Sequence, residues 1–220
     1  MKKLISLSII GIIICGNSFM NAQTKFGVLG GINFQNLNGK NYQGDKLTND
    51  LIVGFHVGAN AQIPIAPEFY FQPGLLFSTK GAANTENSIS TKSRISYIEM
   101  PLNFVYKGAL GSGFIMLGFG PYMGYAVDGK YTLKNNGTTV NYDFKFKNTV
   151  ETSDPTDRAY LKAFDAGANI FAGYELAGGI FFQLNSQLGL VNISPKNEYV
   201  SNDKTVLKNT GFGLSAGYRF

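Results

Sequence analysis

Residues 211–220 have the sequence GFGLSAGYRF, in which bulky apolar side chains alternate with glycine and polar residues. Successive side chains of a β-strand point to opposite faces, so this segment has one apolar face. The members of that face are Phe212, Leu214, Ala216, Tyr218 and Phe220. The opposite face carries only glycines, Ser215 and Arg219. The pattern predicts a strand with two chemically different faces.

Seven earlier segments show the same alternation, separated by clusters of Gly, Asn, Asp, Ser and Pro. Each is about ten residues long, which is the length that a tilted strand needs to cross the hydrocarbon layer. Their apolar faces begin at Phe26, Leu51, Phe69, Ile98, Ile115, Phe164 and Ile180. The sequence therefore predicts an all-β fold, an eight-stranded antiparallel up-and-down transmembrane β-barrel.

The connections between these segments alternate in length along the chain. Short links are expected at residues 64–67, 107–113 and 177–179, and long ones at 37–50, 79–93, 126–163 and 191–209. Outer-membrane barrels have tight turns at the periplasmic rim and longer loops at the extracellular rim. An even strand count also places both ends of the barrel at the periplasmic rim. The connections therefore support an outer-membrane barrel.

The first 22 residues have the layout of a secretory signal peptide. Lys2 and Lys3 precede an apolar run at residues 4–15, and small and polar residues lead to Ala22. We expect cleavage after Ala22, which leaves residues 23–220 as the outer-membrane barrel domain. Cys15 offers lipidation as an alternative, but Ile14 is not the small residue that this modification prefers. The mature chain would then have no cysteine and no disulfide.

Charge and composition exclude several classes of function. The formal net charge is +5, and because Lys2 and Lys3 contribute two of these charges, +3 remains after cleavage. Basic residues are scattered, so we expect no nucleic-acid partner. The single histidine, the missing mature cysteine and the lack of clustered carboxylates predict no metal site and no cofactor. Asp154 and Asp157 are expected to form a turn rather than a Ca²⁺ site.

A soluble, lipocalin-like barrel that carries an apolar ligand is the alternative β fold. Such a barrel needs an apolar lumen and a polar outer face. The second face of the predicted strands carries Gly, Asn, Gln, Ser and scattered charges, which suits a polar interior better than an apolar pocket. The membrane barrel is therefore the favoured prediction.

Five segments resemble the outer-membrane β-barrel family of Bacteroidetes-type bacteria, which includes PorT-like proteins. They are GVLGGINF at 27–34, FQPGLLFS at 71–78, YIEMPL at 97–102, GPY at 120–122 and GYRF at 217–220. The resemblance implies an outer-membrane location and a barrel, but no activity common to all members. It also implies that Phe212, Tyr218 and Phe220 form the C-terminal signal that the barrel-assembly machinery recognises. Outer-membrane lipid and that machinery are the partners expected on this basis.

Six charged residues are predicted to point into the barrel and form an interior polar cluster. Lys25, Lys107, Glu175 and Arg219 are expected near the periplasmic mouth, where they could form an ion-pair network, and Glu99 and Asp165 toward the other end. An eight-stranded barrel is only wide enough for side chains to fill, so unpaired charges there would be costly. We interpret the cluster as a structural plug, with a narrow proton or ion path as the alternative.

His56 is expected to point inward with Gly and Asn neighbours, and no Gly-x-Ser-x-Gly nucleophile is assigned to it, so we predict a structural rather than a catalytic role. A membrane-embedded barrel enzyme for acyl transfer or hydrolysis is the alternative. Asn135, Asn136 and Gly137 predict a hairpin in the 126–163 loop, by which the fifth and sixth strands extend above the membrane. Its aromatic residues extend the wall or contact a protein or glycan partner. The predicted function is a structural or surface-interaction barrel without enzymatic activity.

Overall fold

The computed structural model describes residues 23–220, so the predicted signal peptide lies outside the described residues. Within this range no helix is long and apolar enough to cross a membrane. The described chain forms twelve strands: β1 Lys25–Lys40, β2 Ile52–Ala66, β3 Phe69–Glu86, β4 Ile89–Leu110, β5 Gly113–Asn135, β6 Thr138–Phe146, β7 Thr149–Val150, β8 Ala159–Leu161, β9 Phe164–Leu176, β10 Ile180–Gly189, β11 Lys196–Asn197 and β12 Val206–Arg219.

Eight of these strands form a closed antiparallel ring in the order β1, β2, β3, β4, β5, β9, β10, β12. Strand β12 returns to β1 along a register from Gly27–Arg219 to Lys40–Val206, which closes the ring. The predicted all-β fold with eight ring strands is confirmed. The total count is larger because β6, β7, β8 and β11 form within the long connections, where β6–β8 and β7–β11 pair in parallel.

The two faces of the ring differ as the alternation predicts. Bulky apolar side chains such as Phe119 and Leu184 are more than 60% exposed on the outer surface. Asn33, Gln62 and Glu99 are buried on the inner surface. This distribution is the opposite of what a soluble carrier needs. Closure satisfies the backbone hydrogen bonds that an open edge would leave unpaired in lipid.

The rims show one correction to the predicted connections. Turns at Pro67–Glu68, Gly111–Ser112 and 177–179 are short as expected and lie at one rim, which in an outer-membrane barrel faces the periplasm. The prediction of a loop at residues 79–93 is wrong, because β3 and β4 continue through this segment and are joined by a turn at Asn87 and Ser88. Both residues have positive φ, 48° and 68°, as a tight type I′ hairpin turn requires. The extracellular rim therefore includes a projecting hairpin.

The 126–163 connection also differs in detail from the prediction. The hairpin forms at Asn136 and Gly137, both with positive φ, and joins β5 to β6. The prediction that the sixth ring strand provides the second arm is wrong, because β6 is a separate strand and the sixth ring strand, β9, begins only at Phe164.

Gly120 provides a test of the wall packing. A Cβ atom at this position would lie 2.1 Å from the backbone oxygen of Leu102 on β4, and backbone atoms of a paired strand cannot move aside. We expect Gly120→Val to destabilise the barrel by about 1–3 kcal/mol. The measurement is the temperature at which the folded form disappears in a heat-modifiability gel. Ala168→Val, at an exposed site of the neighbouring strand β9, is the matched control and should leave that temperature unchanged. Equal effects of the two substitutions would contradict this account.

Candidate functional site: the lumen and the extracellular cap

A first group of inward side chains, the outer cluster, lies toward the extracellular rim around Lys80. Its Nζ forms ion pairs with Glu99 and, at 3.3 Å, with Asp165. Asp165 Oδ2 also accepts hydrogen bonds from Tyr122 Oη at 3.0 Å and from Asn209 Nδ2 at 2.9 Å. The Lys80 ammonium lies 4.3 Å from the centroid of the Tyr122 ring, a cation–π contact. The whole cluster is almost completely buried.

Lys80 is not among the charges predicted to point inward, although it is the cation at the centre of this cluster. The residue fell in the segment predicted as the 79–93 loop. In the structure β3 continues to Glu86, so Lys80 keeps the inward orientation of Gln72 and Ser78. If the period-two alternation of β3 is continued beyond Ser78, it places Lys80 on the inward face.

A second group, the inner cluster, lies toward the periplasmic rim around Glu175. Lys107 Nζ donates to Glu175 Oε1 at 2.7 Å, and Arg219 Nε donates to Oε2 at 2.9 Å. The Arg219 guanidinium also donates to Asn60 Oδ1 at 3.0 Å and to Gln72 Oε1 at 3.2 Å. Each carboxylate oxygen of Glu175 therefore has its own cation, and the planar fork of arginine reaches three acceptors at once.

The structure places five of the six predicted interior charges in these two groups and one outside them. Glu99 and Asp165 belong to the outer cluster, and Lys107, Glu175 and Arg219 to the inner one. Lys25 is exposed at the first position of β1 and forms none of the ion pairs found within residues 23–220. At the open mouth, water solvates its ammonium, so no buried partner is required.

The charges of the two clusters balance each other. The outer cluster combines one cation with two carboxylates, and the inner cluster combines two cations with one carboxylate. The lumen thus carries three charges of each sign. Because an isolated buried charge is far more costly than a paired one, this balance is what allows so many ionised groups inside a narrow barrel.

A cavity of about 80 Å³ lies between the two clusters. Asparagine and glutamine side chains line it together with His56, Ser78 and Ser215, and apolar residues such as Leu29, Leu76 and Phe171 complete the wall. Three amide atoms of lining residues, Gln35 Oε1, Asn169 Oδ1 and Gln183 Nε2, have no hydrogen-bond partner among residues 23–220. The volume accommodates several water molecules, which would satisfy such atoms. The centre of the lumen is therefore a small polar chamber with a charged cluster at each end.

His56 lies on the wall of this chamber and contacts two polar side chains. Its Nε2 is 2.7 Å from Ser215 Oγ, and its Nδ1 is 2.7 Å from Asn33 Oδ1. Since an amide oxygen only accepts, Nδ1 carries the proton and Nε2 accepts from the serine. Asn185 Nδ2 in turn donates to Ser215 Oγ at 2.6 Å. Ser215, His56 and Asn33 are thus in contact in the order of the nucleophile, the base and the orienting group of a catalytic triad.

The serine was also missed in the sequence, although a motif marks it. Residues 213–217, GLSAG, have the Gly-x-Ser-x-Gly spacing of hydrolase nucleophiles. In hydrolases this motif forms a sharp turn between a strand and a helix. Here Ser215 lies in the middle of β12, paired on both sides, with Gly31 opposite on β1 and Gln183 on β10. The structural context that confirms the motif is therefore lacking at this serine.

Above the outer cluster, the long connections fold into a structure that we call the cap. Its centre is an apolar cluster of buried residues from the strand ends and from the 126–163 and 191–209 connections. The members are Leu37, Ala82, Ile95, Tyr97, Ala126, Leu161 and Ile193, with Phe144, Phe146, Ala163 and Leu207 packed against them. The aromatic residues of the 126–163 loop thus point partly into the protein, and Phe144 and Phe146 do not extend the outer wall.

Polar contacts join the two connections at the outer surface of the cap. Tyr199 Oη lies 2.7 Å from the backbone oxygen of Thr152 and 2.6 Å from that of Asp154. Lys147 Nζ donates to the Asp154 carboxylate at 2.7 Å. This hydrogen bond lowers the pKa of Asp154 and raises the pKa of Lys147. Asp154 Oδ2 also accepts the Glu151 backbone N–H, so Asp154 stabilises a turn.

The C-terminal aromatic residues lie at the strand that closes the ring. Phe212, Tyr218 and Phe220 face outward on β12 and beyond its end, each about half or more exposed. Phe212 stacks on Phe34 of β1 with ring centroids 5.1 Å apart, and the Phe220 backbone N–H donates to the Phe26 oxygen at 2.9 Å. The final residue therefore continues the β12–β1 pairing.

A family model described as an outer membrane protein beta-barrel domain matches residues 21–194. The chain belongs to this family. Its barrel accordingly lies in the outer membrane, with the apolar outer surface in lipid. No curated protein matches the chain. Among residues 23–220 of this family member, no group of three or more His, Cys, Asp and Glu residues is arranged to hold a metal ion.

Two solved structures are similar to this outer-membrane barrel. Both are crystal structures of Ail, the attachment invasion locus protein of Yersinia pestis, one of them in complex with the heparin analogue sucrose octasulfate. The identities are 12% and 11% and the TM-scores 0.38 and 0.37. In each case 89% of this chain and 99% of Ail are covered.

Lys80 provides a test of the outer cluster. Lys80→Met would leave Glu99 and Asp165 as buried carboxylates without a cation, and breaking a buried pair in this way typically costs about 3–5 kcal/mol. We expect a large loss in stability, measured by urea unfolding in lipid vesicles. Lys25→Met removes the same charge at the exposed mouth and should change stability by less than about 0.5 kcal/mol. If the Lys80 variant were as stable as the Lys25 variant, the outer cluster would not contribute as described.

Proposed function

We propose that this chain is a non-enzymatic surface protein of the outer membrane whose cap contacts a protein or glycan outside the cell. One observation carries the proposal: the two longest connections share a single apolar cluster over the barrel mouth. Loops that only link strands have no need of a core. A packed core holds their outer surface in one shape, and a preorganised surface loses less entropy on binding.

The outer surface of the cap offers side chains that suit a partner. Tyr42 and Tyr199 are 57% and 44% exposed, and the backbone N–H of Lys204 bonds to the Tyr42 oxygen at 3.3 Å. The 41–51 and 191–205 connections are therefore in contact. Exposed tyrosines are frequent anchors in binding surfaces because they combine apolar area with a hydroxyl group.

The lumen supports a surface role rather than transport. The charged residues of both clusters are at most 7% exposed, and each of their carboxylates contacts a cation. Opening a path would require breaking buried ion pairs at two levels of the barrel. The structural plug is therefore favoured over the ion path.

The route to the membrane is part of the same proposal. Residues 1–22 act as a signal peptide cleaved after Ala22, and residues 23–220 then enter the periplasm unfolded. Phe212, Tyr218 and Phe220 are recognised by the assembly machinery before β12 pairs with β1. Membership of the PorT-like, Bacteroidetes-type branch is supported by the segments at 27–34, 71–78, 97–102, 120–122 and 217–220. Neither a cofactor nor a nucleic-acid partner is part of this function.

Phe146 tests the cap. It packs against the apolar cluster, so Phe146→Ser should loosen the cap while the barrel stays folded. On intact cells we expect proteinase K to cut residues 126–163 of this variant at least tenfold faster than in wild type, because local opening governs cleavage. Heat-modifiable migration should persist. Val140→Ser, at an exposed position of β6, is the control and should be cut like wild type. Resistance of both variants, or cleavage only after cell lysis, would contradict the proposal.

Hydrolysis or acyl transfer is a second candidate function because His56 contacts Ser215 and Asn33. In such a reaction Ser215 Oγ would attack an acyl carbon and His56 would take its proton. Three observations oppose it. Ser215 is buried, its Oγ already accepts a hydrogen bond from Asn185, and the charged clusters separate the chamber from both rims. We therefore interpret the three side chains as a satisfied polar network.

A fluorophosphonate probe distinguishes these interpretations because it reacts with activated serines. We expect no labelling of the folded protein in detergent or in vesicles, and Ser215→Ala should behave like wild type. Labelling that disappears in both Ser215→Ala and His56→Gln would establish the enzymatic function and contradict the non-enzymatic proposal. Ser186, an exposed serine on neighbouring β10, supplies a matched control as Ser186→Ala.

A further inference from the structure

The outer wall carries a set of cations just above the lipid-facing surface of β4 and β5. On β4 the outward positions run from the apolar Met100 and Ile98 to Arg94 and Lys92. On β5 an irregularity in the pairing between Ser96 and Tyr97 reverses the alternation, so that Gly129 is buried and Lys130 exposed. Bulges commonly redirect side chains in this way. Without this one, Lys130 would point toward the cap core.

The register places like charges directly opposite each other. Arg94 pairs with Lys130, and Lys92 and Lys134 are exposed on the same two strands. We call these four residues the basic patch. None of the four is in an ion pair within residues 23–220. Because directly opposed like charges destabilise a sheet, this arrangement costs free energy unless an anion lies between them.

Acidic residues near the patch do not neutralise it. Asp128 lies opposite Ser96, and Asp143 of β6 lies opposite Lys130. Both aspartates are exposed and neither is within ion-pair distance of the four cations. Four cations and two carboxylates leave two positive charges on this part of the wall. The surface is thus complementary to an anionic group.

The height of the patch identifies the source of that anion. On β5 the last large apolar outward residue is Val127, which is 52% exposed. Lys130, which pairs with Arg94, is three residues beyond Val127, or roughly 10 Å along the strand. A strand tilt of about 40° reduces this to roughly 8 Å above the hydrocarbon. The headgroup layer occupies about the first 5–8 Å, and long basic side chains bend toward it. Arg94 and Lys130 therefore lie at the level of the lipid headgroups, and Lys92 and Lys134 lie farther along the same strands.

We propose that the basic patch binds the phosphate groups of an anionic lipid in the outer leaflet. The Arg94 guanidinium offers a planar fork of donors that matches a phosphate, and the three lysines supply further charge. A phosphate between Arg94 and Lys130 turns their repulsion into two attractive contacts. The barrel is then held at a defined depth and rotation by one lipid on its β4–β5 wall.

The test compares two forms of one lipid. Full-length mature protein in detergent is titrated with bisphosphorylated lipid A and with the same lipid after phosphatase treatment, and bound lipid is counted by native mass spectrometry. We expect the phosphorylated form to bind and the dephosphorylated form not to bind. Arg94→Gln with Lys130→Gln should weaken binding about thirtyfold, because each basic residue near an anionic surface contributes about a factor of five.

The matched control is Lys46→Gln with Lys204→Gln, which removes two exposed cations from the tips of the extracellular loops and should change binding less than twofold. If the double patch variant fails to fold, Arg94→Gln alone should weaken binding about fivefold. Three results would overturn the proposal: equal binding by wild type and patch variant, equal binding of the two lipid forms, or full competition by millimolar inorganic phosphate, which would indicate a free-anion site.

Discussion

The structure depends on the pairing of β12 with β1. In hydrocarbon, water cannot satisfy a free backbone N–H or C=O group, so an open sheet would leave two unpaired edges. The register from Gly27–Arg219 to Lys40–Val206 removes both edges. Closure also fixes which side chains point inward, because a shift of one residue would exchange the two faces of a strand. The apolar outer wall and the polar lumen are two consequences of the same pairing.

Closure of the ring places charged side chains in a narrow lumen, where each needs a partner of opposite charge. Arg219 and Lys107 belong to strands whose other face must be apolar, and their inward positions lie in a space too narrow for bulk water. The solution is pairwise: Glu175 contacts both cations, while Lys80 contacts Glu99 and Asp165. Most of these pairs join strands that are not neighbours in the ring: Lys80 of β3 contacts Asp165 of β9, with β4 and β5 between them. The plug thus links parts of the wall that share no backbone hydrogen bonds.

The sequence predicts those features that follow from alternation at period two. The outward stripes, the eight ring strands and the inward orientation of Glu99 and Arg219 all belong to this group. Lys80 was missed because its segment has few bulky apolar residues, so the end of the apolar stripe was taken as the end of the strand. The contact between His56 and Ser215 depends on how β1, β2 and β12 are aligned. That register comes from closure, and no local pattern encodes it. The apolar core of the cap likewise joins segments far apart in sequence.

Tyr97 connects the cap to the lumen. Its ring belongs to the apolar cluster of the cap and lies 5.3 Å from the Lys80 ammonium, and its hydroxyl accepts a hydrogen bond from Asn209 at 3.2 Å. Asn209 in turn donates to Asp165. The outer cluster therefore forms the floor on which the cap packs. A partner that reshapes the cap must displace Tyr97, and so must also disturb the ion pairs of Lys80. Because breaking those pairs is costly, the cap has one stable shape, and under the proposed function a partner would meet a surface that is already formed.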